Sequence, residues 1–162
     1  MNKSIYIKYV FYFFLFFSIF TLDRISKIYI LNIANNEELN IYINEFLNII
    51  LIWNTGIGFG LLSFSDNFLY NAITFIILLI NFILIYLAVA SNSIKRILYI
   101  VILGGSFGNL FDRFYYSAVP DFIDINFNGY HWFVFNVADI FISIGITCLI
   151  FMEILDYKKL SK

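Results

Sequence analysis

Four long apolar stretches, at about 5–33, 68–90, 94–115 and 132–155, are separated by shorter polar connections. A membrane-crossing helix needs ~20 mostly apolar residues. The pattern therefore predicts an α-helical integral membrane protein with four transmembrane helices. Stretch 68–90 carries no charge, whereas the first is interrupted by Asp23, Arg24 and Lys27 before resuming as IYILNI. A cleavable leader would end there in small residues, so this stretch reads as a retained span. Polar residues crowd the far end of the third stretch (Asn109, Asp112, Arg113) and the start of the fourth (Asn136, Asp139).

The connection at about 34–67 is too long for a plain turn. Partial alternation at Ile41, Ile43, Leu47 and Ile49, bounded by Asn and Gly, suggests short strands. The expectation is a small antiparallel sheet lying on the membrane surface between helices 1 and 2, with an amphipathic interfacial helix as the competing reading. Asn54-Thr55-Gly56 reads as a turn, and Gly56, Gly58 and Gly60 would admit close backbone approach to a ligand. This glycine-rich segment is expected to close over a site and help exclude water. Gly104 and Gly108, four apart, predict one face for close helix packing.

Charge orients the chain. Lys3 and Lys8 precede the first span, Lys95 and Arg96 join the second to the third, and Lys158, Lys159 and Lys162 follow the fourth. The connections at about 34–67 and 116–131 carry Glu37, Glu38, Glu45, Asp66, Asp121 and Asp124, without Lys or Arg. Basic connections stay in the cytoplasm, which predicts both termini inside and the acidic connections outside. Asp23 and Lys27, Asn109 to Arg113, and Asn136 and Asp139 then fall in one leaflet. Ionisable groups inside a membrane are costly, and by default they mark a functional site.

Composition narrows the chemistry. The chain of 162 residues is 62% hydrophobic with a net charge of -1, against ~45–50% apolar for a soluble domain. One domain suits this length, and no basic patch suggests nucleic acid. A single cysteine, Cys148, excludes an internal disulfide and multi-cysteine metal motifs; its mid-span position suggests apolar packing. A single histidine, His131, excludes HExxH zinc chemistry. No nucleophile elbow surrounds Ser106 or Ser117, and His131 beside Trp132 fits an interfacial aromatic belt. No metal and no cofactor is expected.

Asp121 and Asp139 are the candidate catalytic pair. Two carboxyl groups held close in a poorly hydrated site share one proton, leaving one as base and the other as acid. Such a pair can activate water against a peptide carbonyl. Spacing alone supports a second reading equally, with Asp121 as a solvated loop residue and Asp139 favoured at a helix N-terminus by the macrodipole. Asp124 is the weaker candidate, placed further along the loop where it would be solvated. A small proton- or cation-coupled transporter is the alternative function, although the polar groups cluster in one leaflet and no internal repeat is evident.

LDRISK (22–27), NTGIGFG (54–60), GGSFGNLFDR (104–113), VPDFID (119–124) and FNVAD (135–139), in that order, resemble the motif set of lipoprotein signal peptidase, or signal peptidase II. The resemblance implies a bacterial membrane aspartyl endopeptidase that removes signal peptides from prolipoproteins, cutting before a diacylglyceryl-modified cysteine. It further implies a monomer in the cytoplasmic membrane, among membrane lipids, with the active site on the extracytoplasmic face. Carried over by motif, Asp121 and Asp139 are the catalytic dyad. Asn109, Arg113 and Asn136 would hold dyad and substrate, and Asn54 and Gly56 would belong to the substrate-facing segment. Asp23, Lys27 and Asp112 would give structural polar support. Pro120 and Gly58 stand where valine and alanine are common in the family. Pro120 biases Val119 toward extended backbone, compatible with an extended approach to Asp121.

Overall fold

The computed structural model describes residues 3–35, 39–56, 67–127 and 130–160. Its helices are α1 (Lys3–Ala34), α2 (Asn67–Ala90), α3 (Ser93–Tyr116) and α4 (Val137–Leu160); its strands are β1 (Asn40–Asn44), β2 (Leu47–Asn54), β3 (Val119–Phe127) and β4 (Tyr130–Phe135). All four helices are long and apolar enough to cross a membrane. Large apolar side chains such as Phe14, Ile25, Phe82 and Phe151 are exposed on the outside of the bundle, where hydrocarbon would cover them. The chain is thus a multi-pass membrane protein. α3 packs against α1, α2 and α4, and α1 also meets α4.

α1 continues unbroken through Asp23, Arg24 and Lys27. The charges do not interrupt the helix because their partners are other buried side chains. α3 starts with Asn92 as N-cap, its side chain accepting from the Lys95 N–H, and stops at Ser117, which is left-handed at φ 58. α1 ends comparably at Asn35, φ 44. In α2, Thr74 donates to the Tyr70 carbonyl, and Asn81 donates to the Ile77 carbonyl and to Ser106 Oγ. These donors find their acceptors within the bundle, as hydrocarbon requires.

The sheet is antiparallel in the order β1-β2-β3-β4, and it draws two strands from each of the two connections. That corrects two expectations. The VPDFID segment is strand, not loop, and the fourth helix begins at Val137, not at 132. Phe133, Val134 and Phe135 pair with β3; an apolar strand abutting an apolar helix reads as one continuous run by hydropathy. β4 reaches only as far along β3 as Ile123, while β2 pairs onward to Val119. Pro120 therefore sits where β3 has a neighbour on one side only, a position that proline tolerates.

Three further expectations meet the structure. Cys148 is exposed on α4, turned away from the bundle interior. Gly104 and Gly108 share one close-packing face, where a Cβ would meet Ile19 or Asp23 of α1, and Gly105 gives α4 a second close approach at Ala138. Gly58, Gly60 and the rest of the expected covering segment lie outside the described residues.

Candidate active site

A buried ionic cluster ties three helices together below the sheet. Lys27 Nζ donates to Asp23 Oδ2 at 2.9 Å, to Asp112 Oδ2 at 2.7 Å and to Asn109 Oδ1 at 2.8 Å. An ammonium has three N–H groups and no acceptor, so all of its capacity is used. Arg24 pairs with Asp112 and Asp23 and lies over the Phe111 ring. Asp23 Oδ1 accepts the Ala138 N–H at 3.0 Å, joining the cluster to the first turn of α4. Asp23, Lys27 and Asp112 are completely buried. Removing one partner from such a set costs about 3–5 kcal/mol, because a buried charge is left uncompensated.

Asp121 and Asp139 meet on Asn136. The Asn136 amide donates to Asp121 Oδ1 at 2.5 Å, and its main-chain N–H donates to Asp139 Oδ2 at 3.2 Å. Asn136 Oδ1 in turn accepts the Asp139 N–H. Asn136 and Asp139 thus form a reciprocal capping box that starts α4. Asn54 closes the other side of the site: its amide donates to Asp121 Oδ2 at 2.8 Å, while its Oδ1 accepts the Gly56 N–H, which is the expected turn. The Asn109 amide donates to Asp139 Oδ1 at 2.8 Å.

Both carboxyl groups are withdrawn from solvent, Asp121 being 1% and Asp139 6% exposed. Burial pushes the Asp121 carboxyl up to about 7; the charge of Asp139 adds to the rise, and the amides of Asn54 and Asn136 oppose it. Arg113 Nη2 donates to the Gly56 carbonyl, and the guanidinium lies 5.4 Å from the Tyr70 ring centre. Tyr70 Oη donates to the Arg113 carbonyl. Beside Asp139 opens an apolar groove of about 330 Å³, bordered by Ile125, Phe133, Phe135, Ile140 and Ile144. The arrangement sets two buried carboxyl groups on one shared asparagine, with an apolar groove beside Asp139.

The candidate site residues Asp23, Lys27, Asn54, Gly56, Asn109, Asp112, Arg113, Asp121, Asn136 and Asp139 are all among the described residues. Asn54 and Asn136 bond Asp121, and Asn109 and Asn136 bond Asp139; Gly56 bonds Asn54 and Arg113 bonds Gly56; Asp23, Lys27 and Asp112 form the cluster behind. Asp124 is a correction. It is fully buried, not solvated, and alternation along β3 turns it to the face opposite Asp121. Its Oδ2 accepts the Asn48 amide at 3.1 Å and lies 2.7 Å from His131 Nδ1. His131 therefore joins a cross-strand polar junction in addition to any interfacial role. Asp124→Ala is expected to cost about 1–3 kcal/mol by leaving the part-buried Asn48 amide without its acceptor, read as a lower thermal unfolding midpoint in detergent.

Asn48, Tyr70 and Gly105 escaped the sequence reading. Gly105 stood inside a recognised motif; Asn48 and Tyr70 carried no local signal, because their partners lie 76 and 43 residues away.

Comparison with known proteins follows the same geometry. The family model for signal peptidase (SPase) II matches residues 15–155. The chain is 53% identical over 133 residues to the lipoprotein signal peptidase of Pelagibacter ubique (strain HTCC1062), covering 82% of this chain and 80% of that protein. It is 38% identical over 136 residues to the lipoprotein signal peptidase of Anaplasma phagocytophilum (strain HZ), covering 82% and 84%. A solved structure described as a bacterial membrane enzyme superposes with a TM-score of 0.74 at 28% identity, covering 91% of this chain and 90% of that one.

Proposed function

The chain belongs to the signal peptidase II family, and from that premise we propose that Asp121 and Asp139 are the acid pair with which it cuts signal peptides from prolipoproteins. One observation carries the assignment: both carboxyl groups bond the same residue, Asn136, in a buried site. In such a pair the ionised member takes a proton from water as the water oxygen bonds to the scissile carbonyl carbon. The protonated member gives its proton to the carbonyl oxygen. Breakdown of the resulting diol returns a proton to the dyad and delivers another to the leaving amine as the C–N bond breaks.

The substrate is a prolipoprotein whose diacylglyceryl group and apolar signal helix both partition into a bilayer. The apolar groove beside Asp139 suits such a ligand, which reaches it laterally without entering water. By the distribution of basic residues, both termini face the cytoplasm and the dyad faces the extracytoplasmic side of the bacterial cytoplasmic membrane. The enzyme works as a monomer among membrane lipids.

The test is cleavage of a diacylglyceryl-modified peptide by the purified protein in proteoliposomes, followed against pH. Cleavage should fall as pH rises through about 7, where Asp121 would lose the shared proton. A rate that stays level well above that point, or cleavage that survives in Asp121→Asn, would overturn the dyad. Stability carries the same sign. The folded value of about 7 lies above the ordinary 3.8, so Asp121 weakens the fold progressively as pH rises between those two values. Asp121→Asn should remove that slope from thermal unfolding.

A further inference from the structure

The dyad is not symmetric in its surroundings, and the difference lies in the ionic cluster behind it. Each carboxyl group accepts two N–H donors: Asp121 from the side chains of Asn54 and Asn136, Asp139 from the Asn109 side chain and the Asn136 main chain. What stands behind those donors differs. The Asn54 and Asn136 amides are set by neutral main-chain N–H groups, those of Gly56 and Asp139. The Asn109 amide is set by a full charge, since its Oδ1 accepts from Lys27 Nζ at 2.8 Å while its Nδ2 donates to Asp139 Oδ1 at 2.8 Å. An ammonium cannot accept, so Asn109 has no alternative orientation while Lys27 is in place. A charge on one side of an amide also polarises the bond on the other. Asp139 lies in the first turn of α4, where the helix dipole favours an anion. Asp121 feels the Lys27 charge through space, but it has neither a bonded amide set by that charge nor a helix terminus.

We propose that Lys27 is a positioning residue for catalysis, acting through Asn109 to keep Asp139 as the ionised, water-activating acid while Asp121 carries the proton. The inference rests on the dyad reading above and adds to it a division of roles. Asp139 borders the groove from which substrate would arrive, so the base is the member that meets water beside the scissile bond. Asp139 takes the water proton as the O–C bond forms, and Asp121 protonates the carbonyl oxygen. As the C–N bond breaks, Asp139 protonates the nitrogen and Asp121 recovers a proton from one diol hydroxyl. Both groups end as they began.

Charged and titratable groups surround the pair on every packed element: Asp23, Arg24 and Lys27 from α1, Tyr70 from α2, and Asp112 and Arg113 from α3. Arg24 already pairs with both Asp23 and Asp112, and Arg113 acts on both dyad members. The charge of Lys27 also reaches both, but its bonded path runs through Asn109, whose amide donates to Asp139.

The experiment measures single-turnover cleavage of the diacylglyceryl-modified peptide against pH for wild type, Lys27→Met and Lys27→Met/Asp112→Asn. The double variant removes one positive and one negative charge, so the cluster stays balanced if the single variant fails to fold. Loss of the Lys27 charge should move the acid limb of the profile upward by about one pH unit, a tenfold loss of rate on that limb. KM should be nearly unchanged. A purely structural role would reduce the folded fraction without moving either limb. A folded double variant with the wild-type acid limb would overturn the proposal while leaving the dyad intact. Unaltered cleavage in Asp121→Asn would instead remove the dyad itself.

Discussion

Asp139→Asn is expected to give a folded protein whose cleavage of a diacylglyceryl-modified peptide falls by roughly 10²–10⁴-fold, the span associated with loss of a positioned acid or base. The substitution changes shape very little. Asn109 can still donate to the remaining side-chain oxygen, and the Asp139 N–H still meets Asn136 Oδ1. What is lost is the acceptor for the Asn136 N–H, half of the capping box, at a cost of about 1 kcal/mol. Thermal unfolding in detergent should therefore shift only slightly, while turnover is lost. Cleavage within a few-fold of wild type in a folded variant would end the assignment of this carboxyl group to the chemistry.

Gly105→Ala should damage both stability and turnover. A Cβ at this position would stand 2.5 Å from the Ala138 carbonyl oxygen and 3.1 Å from Ile142 Cγ1. The first contact is main chain in the opening turn of α4, so a rotamer change cannot relieve it and the helices must separate. Overpacking of this kind costs about 1–3 kcal/mol, occasionally more. Ala138 also donates its N–H to Asp23 and directly precedes Asp139, so separation pulls the dyad away from Asn109. The expected result is a clear drop in the unfolding midpoint, with a loss of kcat larger than the loss of folded protein. Wild-type kcat in the folded fraction would show that the α3–α4 spacing does not position the dyad. Gly104→Ala is the useful contrast, because it presses mainly on the Ile19 side chain of α1 and leaves the α3–α4 contact alone.

These predictions depend on contacts that differ in how far they can be read from the chain. The four spans were legible because a bilayer demands long apolar runs, and hydropathy is local. The polar motifs were legible because charge in such runs is rare. The start of α4 was misplaced because Phe133 to Phe135 are apolar in either structure, and only pairing with β3 distinguishes strand from helix. The environment of Asp124 was misread for a related reason. Its burial depends on Asn48 and His131 arriving from neighbouring strands, and acidic residues in connections are ordinarily wet.

By itself the sequence determined the membrane class, the number of spans, the candidate acids and the family resemblance, because each follows from residue type or from short ordered motifs. Tertiary structure decided that Asp121 lies on a strand, that Asn136 joins the two acids, and that Lys27 reaches Asp139 through Asn109. The physical reason is that hydrophobic burial acts along the chain with a readable period. Hydrogen bonds between residues 15 to 82 positions apart exist only once packing has brought their elements together.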